Sequence, residues 1–459
     1  MIGQMRFPAV VMVAVLAMLT PPALAQDGLG EPDDVDRQIL DGFLEQTRQV
    51  PQRVSTARVR QLVGEAAENL RWQVLPYLEM PLVAYEITGE RQYLDLFVEA
   101  FANLEAVLTE GPDGYLGWFG PALGTFQHPD HPDRHVDVHI NSFVAAGLLA
   151  RFVEFIDADD ALAERYADER ERYLDLARNH LVRKWIERGN YVELGERGAI
   201  YRTHADLAPT KGHLTQPINK LEDAVTGLLA LYRVTGEHEY MEQAVRIGTF
   251  FKRTLTMPND HYTWTYWTPA GEWDIHPEDD NRWKHWIGAE HRAGYYGSSV
   301  ALAVELYHHG VVFDETDMQR FLNTQLHHAW NGSLDDPQFS RVDGSDGPQS
   351  GSYIATPLAV FSDHLAEYIF RGARREARLD SATHPWQGGP AARGWVYGRF
   401  VYLDKAAGGE RTHAEVGERF RQTEQGRALL EELEFEVQPL GYRQPRSPRE
   451  MRPMVREPR

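Results

Sequence analysis

Between Trp264 and Tyr296 the chain sets six aromatic side chains, Trp264, Tyr266, Trp267, Trp273, Trp283 and Trp286, among Arg282, Lys284, His285, His291, Arg292, Tyr295 and Tyr296. Flat apolar rings beside cations and phenols suit an acidic sugar polymer. A core helix keeps its aromatics on one stripe at roughly 3.6-residue spacing, whereas these are interleaved with Pro, Gly, Asp and His. The segment therefore reads as a cleft wall, with Trp264, Tyr266, Trp267, Arg282 and Lys284 as substrate contacts. The competing reading is a decorated loop whose tryptophans cap the fold.

The acid-base residues fit one of two schemes on a carbohydrate. Hydrolysis needs two carboxyl groups roughly 5 to 10 Å apart, one of them protonated, and Glu222 with Asp223 or Glu290 with Asp279 are candidates. Elimination from a uronic acid needs a group that relieves the sugar carboxylate's charge, a base for the C5 proton and an acid for the departing O4. His139, Asn141, Asn219, Glu222, His291, Arg292, Tyr295 and Tyr296 supply those types. Asn141 and Asn219 compete with a helix-capping role. No Gly-x-Ser-x-Gly elbow, phosphate-cradling loop or dinucleotide fingerprint occurs, so no cofactor is expected. His131, His135 and His139 recur at helix-like spacing, but Pro129 and Pro132 argue against a helix there, so no metal is expected either. The pairs His308-His309 and His327-His328 read as surface.

These residues are far apart in sequence, so repeated elements must bring them together. Thr88-Gly89-Glu90 recurs as Thr235-Gly236-Glu237, each following an apolar helix and opening another. Glycine ends the first helix in the left-handed region and an acidic residue starts the second. Gly147-Leu148-Leu149-Ala150 matches Gly227-Leu228-Leu229-Ala230, within helices expected over 140–156 and 221–234; aligning the two glycines sets His139 opposite Asn219. Further apolar helices are expected over 75–87, 298–310 and 354–369, with amphipathic ones over 161–184, 240–255 and 317–330 between them. Hairpins stacked at this spacing, each burying its face against its neighbours, predict an all-α fold, an (α/α)6 or (α/α)7 toroid; an irregular bundle or open solenoid is the alternative. Little β structure is expected beyond a hairpin near Asn190 to Arg202.

Residues 1–25 carry Arg6, an apolar run and Ala23-Leu24-Ala25, the pattern of a cleaved signal peptide, which implies a periplasmic or secreted protein with no membrane attachment after cleavage. The chain has no cysteine, which removes disulfides and thiol nucleophiles and leaves stability to a large core. A net charge of −21 argues against nucleic-acid or anionic-membrane partners, while the local cations keep an acidic polysaccharide in view as substrate. The expected catalytic domain is 26–437, followed by an Arg/Pro-rich tail, 438–459, with no apolar period. Oligomeric state is not legible.

The helical-hairpin repeat, the export signal, Trp264-Thr265-Tyr266-Trp267 and His291-Arg292-Ala293-Gly294-Tyr295-Tyr296 resemble the (α/α)-toroid polysaccharide lyases, family 38 (alginate and glucuronan lyases) most closely. The resemblance implies β-elimination with a tyrosine, Tyr295 or Tyr296, as base and acid. It implies that Arg292, His139, Asn141, Asn219 and Glu222 handle the sugar carboxylate. A glycoside hydrolase with paired carboxylates and a non-catalytic glycan-binding protein are the alternatives.

Overall fold

The computed structural model describes residues 29–291, 293–347, 353–372, 392–433 and 439. The expected leader and all of the expected tail except Pro439 lie outside them, as does Arg292. The described chain is mostly helical, with four short antiparallel two-stranded hairpins among the described residues. The fold is all-α.

Apolar helices α1 (Leu75–Thr88), α3 (His139–Asp157), α4 (Ile218–Thr235) and α6 (Ala293–His308) alternate with amphipathic partners α2 (Gln92–Glu105), α5 (His238–Thr254) and α7 (Glu315–Thr324). The repeated Thr-Gly-Glu turns have the same chemistry. Gly89 and Gly236 end α1 and α4 at φ 66° and 70°, a conformation that favours glycine. Thr88 and Thr235 donate their hydroxyls to the carbonyls of Ala84 and Leu231, both at 2.8 Å, and accept the N–H groups of Glu90 and Glu237. Each threonine hydroxyl thus bridges a carbonyl one turn back in its helix and an amide of the turn that follows.

α1 packs on α3, α3 on α4 and α4 on α6; α6 meets the 3₁₀ turn Thr356–Phe361, which meets Gly398–Tyr402, and α8 (Ala392–Tyr397) packs back on α1. The partners α2, α5 and α7 pack on α1, α4 and α6. Neighbouring inner helices run parallel, since His139 faces Lys220, Gly147 faces Gly227 and Glu154 pairs with Arg233 at 2.9 Å. Their N-terminal ends therefore share one face, reached by the long connections 106–138, 188–217 and 255–292. α3 is apolar and long enough to cross a membrane, but most of it is buried within the protein.

Three expectations change. The helix expected over 354–369 breaks at Ser362 into Thr356–Phe361 and Asp363–Glu367, because Ser362 caps the N–H of Leu365. The outer helix expected over 161–184 is interrupted at Tyr166 and widened by a π turn at Leu176–Val182. His308 and His309 are buried, at 3% and 0% exposure, because Ala414–Gln422 lies over them; Gly417 packs onto the His309 carbonyl. The hairpin near residue 190 does form, pairing Tyr191–Glu193 with Ala199–Tyr201.

The closest backbone approach between α3 and α4 is at their glycines. A Cβ built on Gly227 would stand 2.4 Å from the Phe143 carbonyl oxygen, and one on Gly147 3.2 Å from Gly227 Cα. Gly227→Ala is therefore expected to cost roughly 1 to 3 kcal/mol, the usual range for overpacking, and Gly147→Ala less. Urea midpoints at unchanged m-value would measure both; a Gly227→Ala protein as stable as the parent would show that the helices can separate at no cost.

Candidate functional site

Along the middle of the inner helices a cavity of about 260 Å³ is lined by Arg71, Glu79, Arg151, Glu222, Asp223, Arg233 and Arg393 around Gly147 and Gly227. The absence of side chains at the glycine crossing leaves this space open. Arg71 precedes α1 and reaches α4, donating from Nε (3.0 Å) and Nη2 (2.8 Å) to Asp223 Oδ1. Burial pushes the Asp223 carboxyl up, while this guanidinium pulls it back. Glu222 has no such partner: burial first, then the adjacent Asp223, push its pKa up to about 8 against the pull of Arg71, and Thr226 donates to it at 3.2 Å. The Arg71 contact favours ionisation of Asp223 over that of Glu222, whose raised pKa favours the neutral acid. The cavity thus sets a cation beside a carboxyl group disposed to keep its proton.

Glu222 is therefore among the sequence-predicted residues that line the cavity. Asn219, one turn earlier on the same helix face, is buried with Oδ1 lacking a hydrogen-bond partner. His139 is also buried, and its Nε2 makes no hydrogen bond. It sits between Trp185 and Tyr201 in a separate pocket, shared with Glu68, Gln216 and Lys220, of about 20 Å³. That is room for about one water and not for a sugar, which removes direct substrate contact in this conformation. Burial, then Lys220, lower its pKa to about 3, so the imidazole is neutral. Asn141 is a structural staple, accepting from the Arg71 N–H (3.0 Å) and donating to the Ala67 carbonyl (2.8 Å). It is fully buried, which corrects its expected role as a substrate contact.

The aromatic segment divides. Trp264 and Trp267 are core residues at 3% and 0% exposure, and Tyr296, fully buried, stacks on Trp264 and donates to Gln325 Oε1 at 3.1 Å. These three are corrected from cleft to core: the loop carrying the two tryptophans folds inward around buried Asp274, which accepts from Thr215, Ala270 and Gly271, and Trp267 donates to the Thr215 carbonyl. Lys284 donates to the Gly212 carbonyl at 2.8 Å, and burial lowers its pKa. Arg282 is exposed and paired with Asp279 at 3.0 Å, while Glu290 is buried with its carboxylate on the His291 N–H. Glu290 and Asp279 thus differ in surroundings and serve local contacts.

The remaining residues form a wall beside the N-terminus of α6. Tyr295 stacks on Tyr266, centroids 5.3 Å apart, and His291 meets Tyr266 edge-on at 4.5 Å. Trp286, 46% exposed, flanks His291. Burial and then Lys211 lower the pKa of neighbouring His285 to about 4. Lys211 and Lys220 both stand over Phe126, at 5.4 and 5.3 Å from its ring. Arg292 lies outside the described residues. His131 and His135 are exposed while His139 is buried, so that trio shares no face. Among the described residues no cluster of three His, Cys, Asp or Glu side chains is arranged to hold a metal ion.

Arg71, Glu68 and Lys220 were not among the sequence candidates. The first two stand just ahead of α1, as His139 and Asn219 stand at the starts of α3 and α4. Comparisons with protein-family models, curated proteins and solved structures return no match.

Because the folded protein holds a proton on Glu222 up to about pH 8 that the unfolded chain releases near 4.5, this group makes stability fall as pH rises across that window. Glu222→Gln is expected to flatten that fall relative to the parent. Denaturant melts of both proteins from pH 5 to about 8.5 would measure it, and parallel curves would mean that Glu222 ionises freely.

Proposed function

We propose that this chain is an exported lyase that cleaves a uronic-acid polymer by β-elimination, and that its inner helices close into an (α/α)6 toroid. The unbroken run of packing from α1 through α3, α4, α6, Thr356–Phe361 and Gly398–Tyr402 back to α8 and α1 supports the ring. The signal-like residues 1–25 support a periplasmic or secreted location.

The observation that carries the chemistry is Glu222 lining the cavity beside the Arg71–Asp223 pair, with its own pKa pushed up by burial and by Asp223. Elimination removes the C5 proton, forms a C4–C5 double bond as the C4–O4 bond breaks, and returns a proton to O4. The C5 proton becomes removable only when the charge of the neighbouring sugar carboxylate is relieved. A neutral carboxylic acid donates a hydrogen bond to that carboxylate without adding a repelling charge, and Arg71 adds positive potential at short range. Tyr295 takes and returns the proton in this reading; it is half-buried on α6, against Tyr266 and near His291, whereas Tyr296 is committed to the core.

One observation favours a glycoside hydrolase: Glu222 and Asp223 are two carboxyls in one cavity, of which only Asp223 is gripped by an arginine. In that scheme Glu222 must give up its proton, so Glu222→Gln would abolish turnover. In the lyase scheme glutamine still donates a hydrogen bond. Glu222→Gln is then expected to keep turnover and to lose the decline that the parent shows as pH rises through about 8.

Incubation with a panel of alginates and glucuronans is expected to give the ultraviolet absorbance of an unsaturated uronide. Tyr295→Phe should lose at least about a hundredfold in rate, as expected for a positioned acid-base group, and Tyr296→Phe should keep most of it if folded. New reducing ends without that absorbance would mean hydrolysis, and retention of polymer without either product would mean a binding protein.

A further inference from the structure

Beside the central cavity, on the surface formed by the helices leading into α1, lies an open groove of about 640 Å³ lined by Arg53, Arg58, Trp72, Gln73, Pro76 and Tyr77, among others. Trp72 is 46% exposed, an unusual position for the largest apolar side chain unless its face is used. Its ring is held from one side: the Arg71 guanidinium lies 5.1 Å from the ring centroid while bonding Asp223 in the cavity. Pro76 lines both the groove and the cavity. One arginine and one proline therefore join an aromatic platform to the proposed reaction site.

We propose that this groove is a distal subsite for the same polymer, binding a uronosyl residue outside the cavity. The inference rests on the lyase reading for the identity of the polymer, and on the groove's own residues for the rest. The apolar face of a pyranose ring packs on an exposed indole, the geometry that Trp72 presents. Arg53 and Arg58, both exposed on the groove's rim, match a sugar carboxylate, which guanidinium grips in two-point fashion. Gln73 provides a donor and an acceptor for hydroxyls. No side chain here reaches the reacting atoms, so the groove acts on affinity and on chain-length preference alone.

The test uses the full chain carrying Tyr295→Phe, so that ligand is not consumed, titrated calorimetrically with glucuronate and mannuronate disaccharides, with long oligomers of each, and with a neutral cello-oligosaccharide. Trp72→Ala is expected to weaken binding of the long acidic oligomers roughly five- to tenfold, the range for one aromatic contact, and to leave the disaccharides unchanged. Arg58→Glu is expected to weaken the acidic oligomers and not the neutral one. Trp72 is exposed, so thermal melts of the variant should match the parent. Long oligomers bound equally by Trp72→Ala and its parent would overturn the subsite, and a neutral chain bound as tightly as the acidic ones would overturn its uronosyl specificity. If Trp72→Ala shows the length-dependent loss while the unmodified protein forms no unsaturated product from any polyuronide, the subsite stands and the lyase reading falls.

Discussion

The contact of α3 with α4 at Gly147 and Gly227 is the constraint on which the site depends. With 3.2 Å between a Cβ on one glycine and Cα of the other, the two backbones are nearer than any pair of side chains would permit. Helices ordinarily cross at 8 to 10 Å, set by the side chains between them. Removing those side chains brings the two helices together at mid-length and leaves a space lined by the Arg71–Asp223 pair and Glu222. The same two glycines that mark the repeat in the sequence thus shape the cavity.

Bringing parallel helices so close has an electrostatic cost, because their dipoles align side by side. The inner face answers with charge pairs from helix to helix. Glu86 and Glu79 of α1 hold Arg151 of α3, Glu154 of α3 holds Arg233 of α4, and Arg233 reaches Glu305 of α6 at 3.7 Å. Lower down, His309 accepts a further contact from Arg233 at 3.3 Å and stacks on His413. Toward the N-terminal ends this pairing stops being complete. Glu222 has no cation paired to it and its pKa is raised, and His139 and Asn219 keep buried polar atoms without partners, each of these atoms costing about 1 to 3 kcal/mol. Imbalance of this kind concentrates where binding or catalysis needs it.

The repeat was legible because its turn is chemically explicit: threonine, a left-handed glycine and an acidic residue leave little freedom in what they form. Helix periodicity then fixed which residues open each inner helix, and Glu222 and Asn219 followed from that. What misled was the tryptophan-rich segment. Its aromatics lack a helical stripe, and exposure was inferred from the polar residues between them. The polar residues serve the loop itself: Asp274 gathers three backbone amides and the Thr215 hydroxyl, so a loop can be buried without unsatisfied groups. Periodicity says nothing about a buried loop, and Asn141, read as a cap or a ligand, turned out to tie α3 to the chain ahead of α1 through contacts some seventy residues distant.

Whether an acidic chain can take the acidic polymer proposed for it is decided by local charge and not by the total. A chain of net charge −21 repels a polyanion at long range, but that field is screened over roughly 8 to 10 Å in moderate salt. Within the cavity four guanidiniums face three carboxyls, and one of the three, Glu222, has its pKa pushed up to about 8. Each guanidinium has its own carboxylate, Arg71 on Asp223, Arg151 on Glu86, Arg233 on Glu154 and Arg393 on Glu79, so the site is a paired network and not a field of one sign. An ionised Glu222 would place a second negative charge beside Asp223 in that network. In the proposed reaction, the proton that the raised pKa of Glu222 retains is the one that hydrogen-bonds the sugar carboxylate.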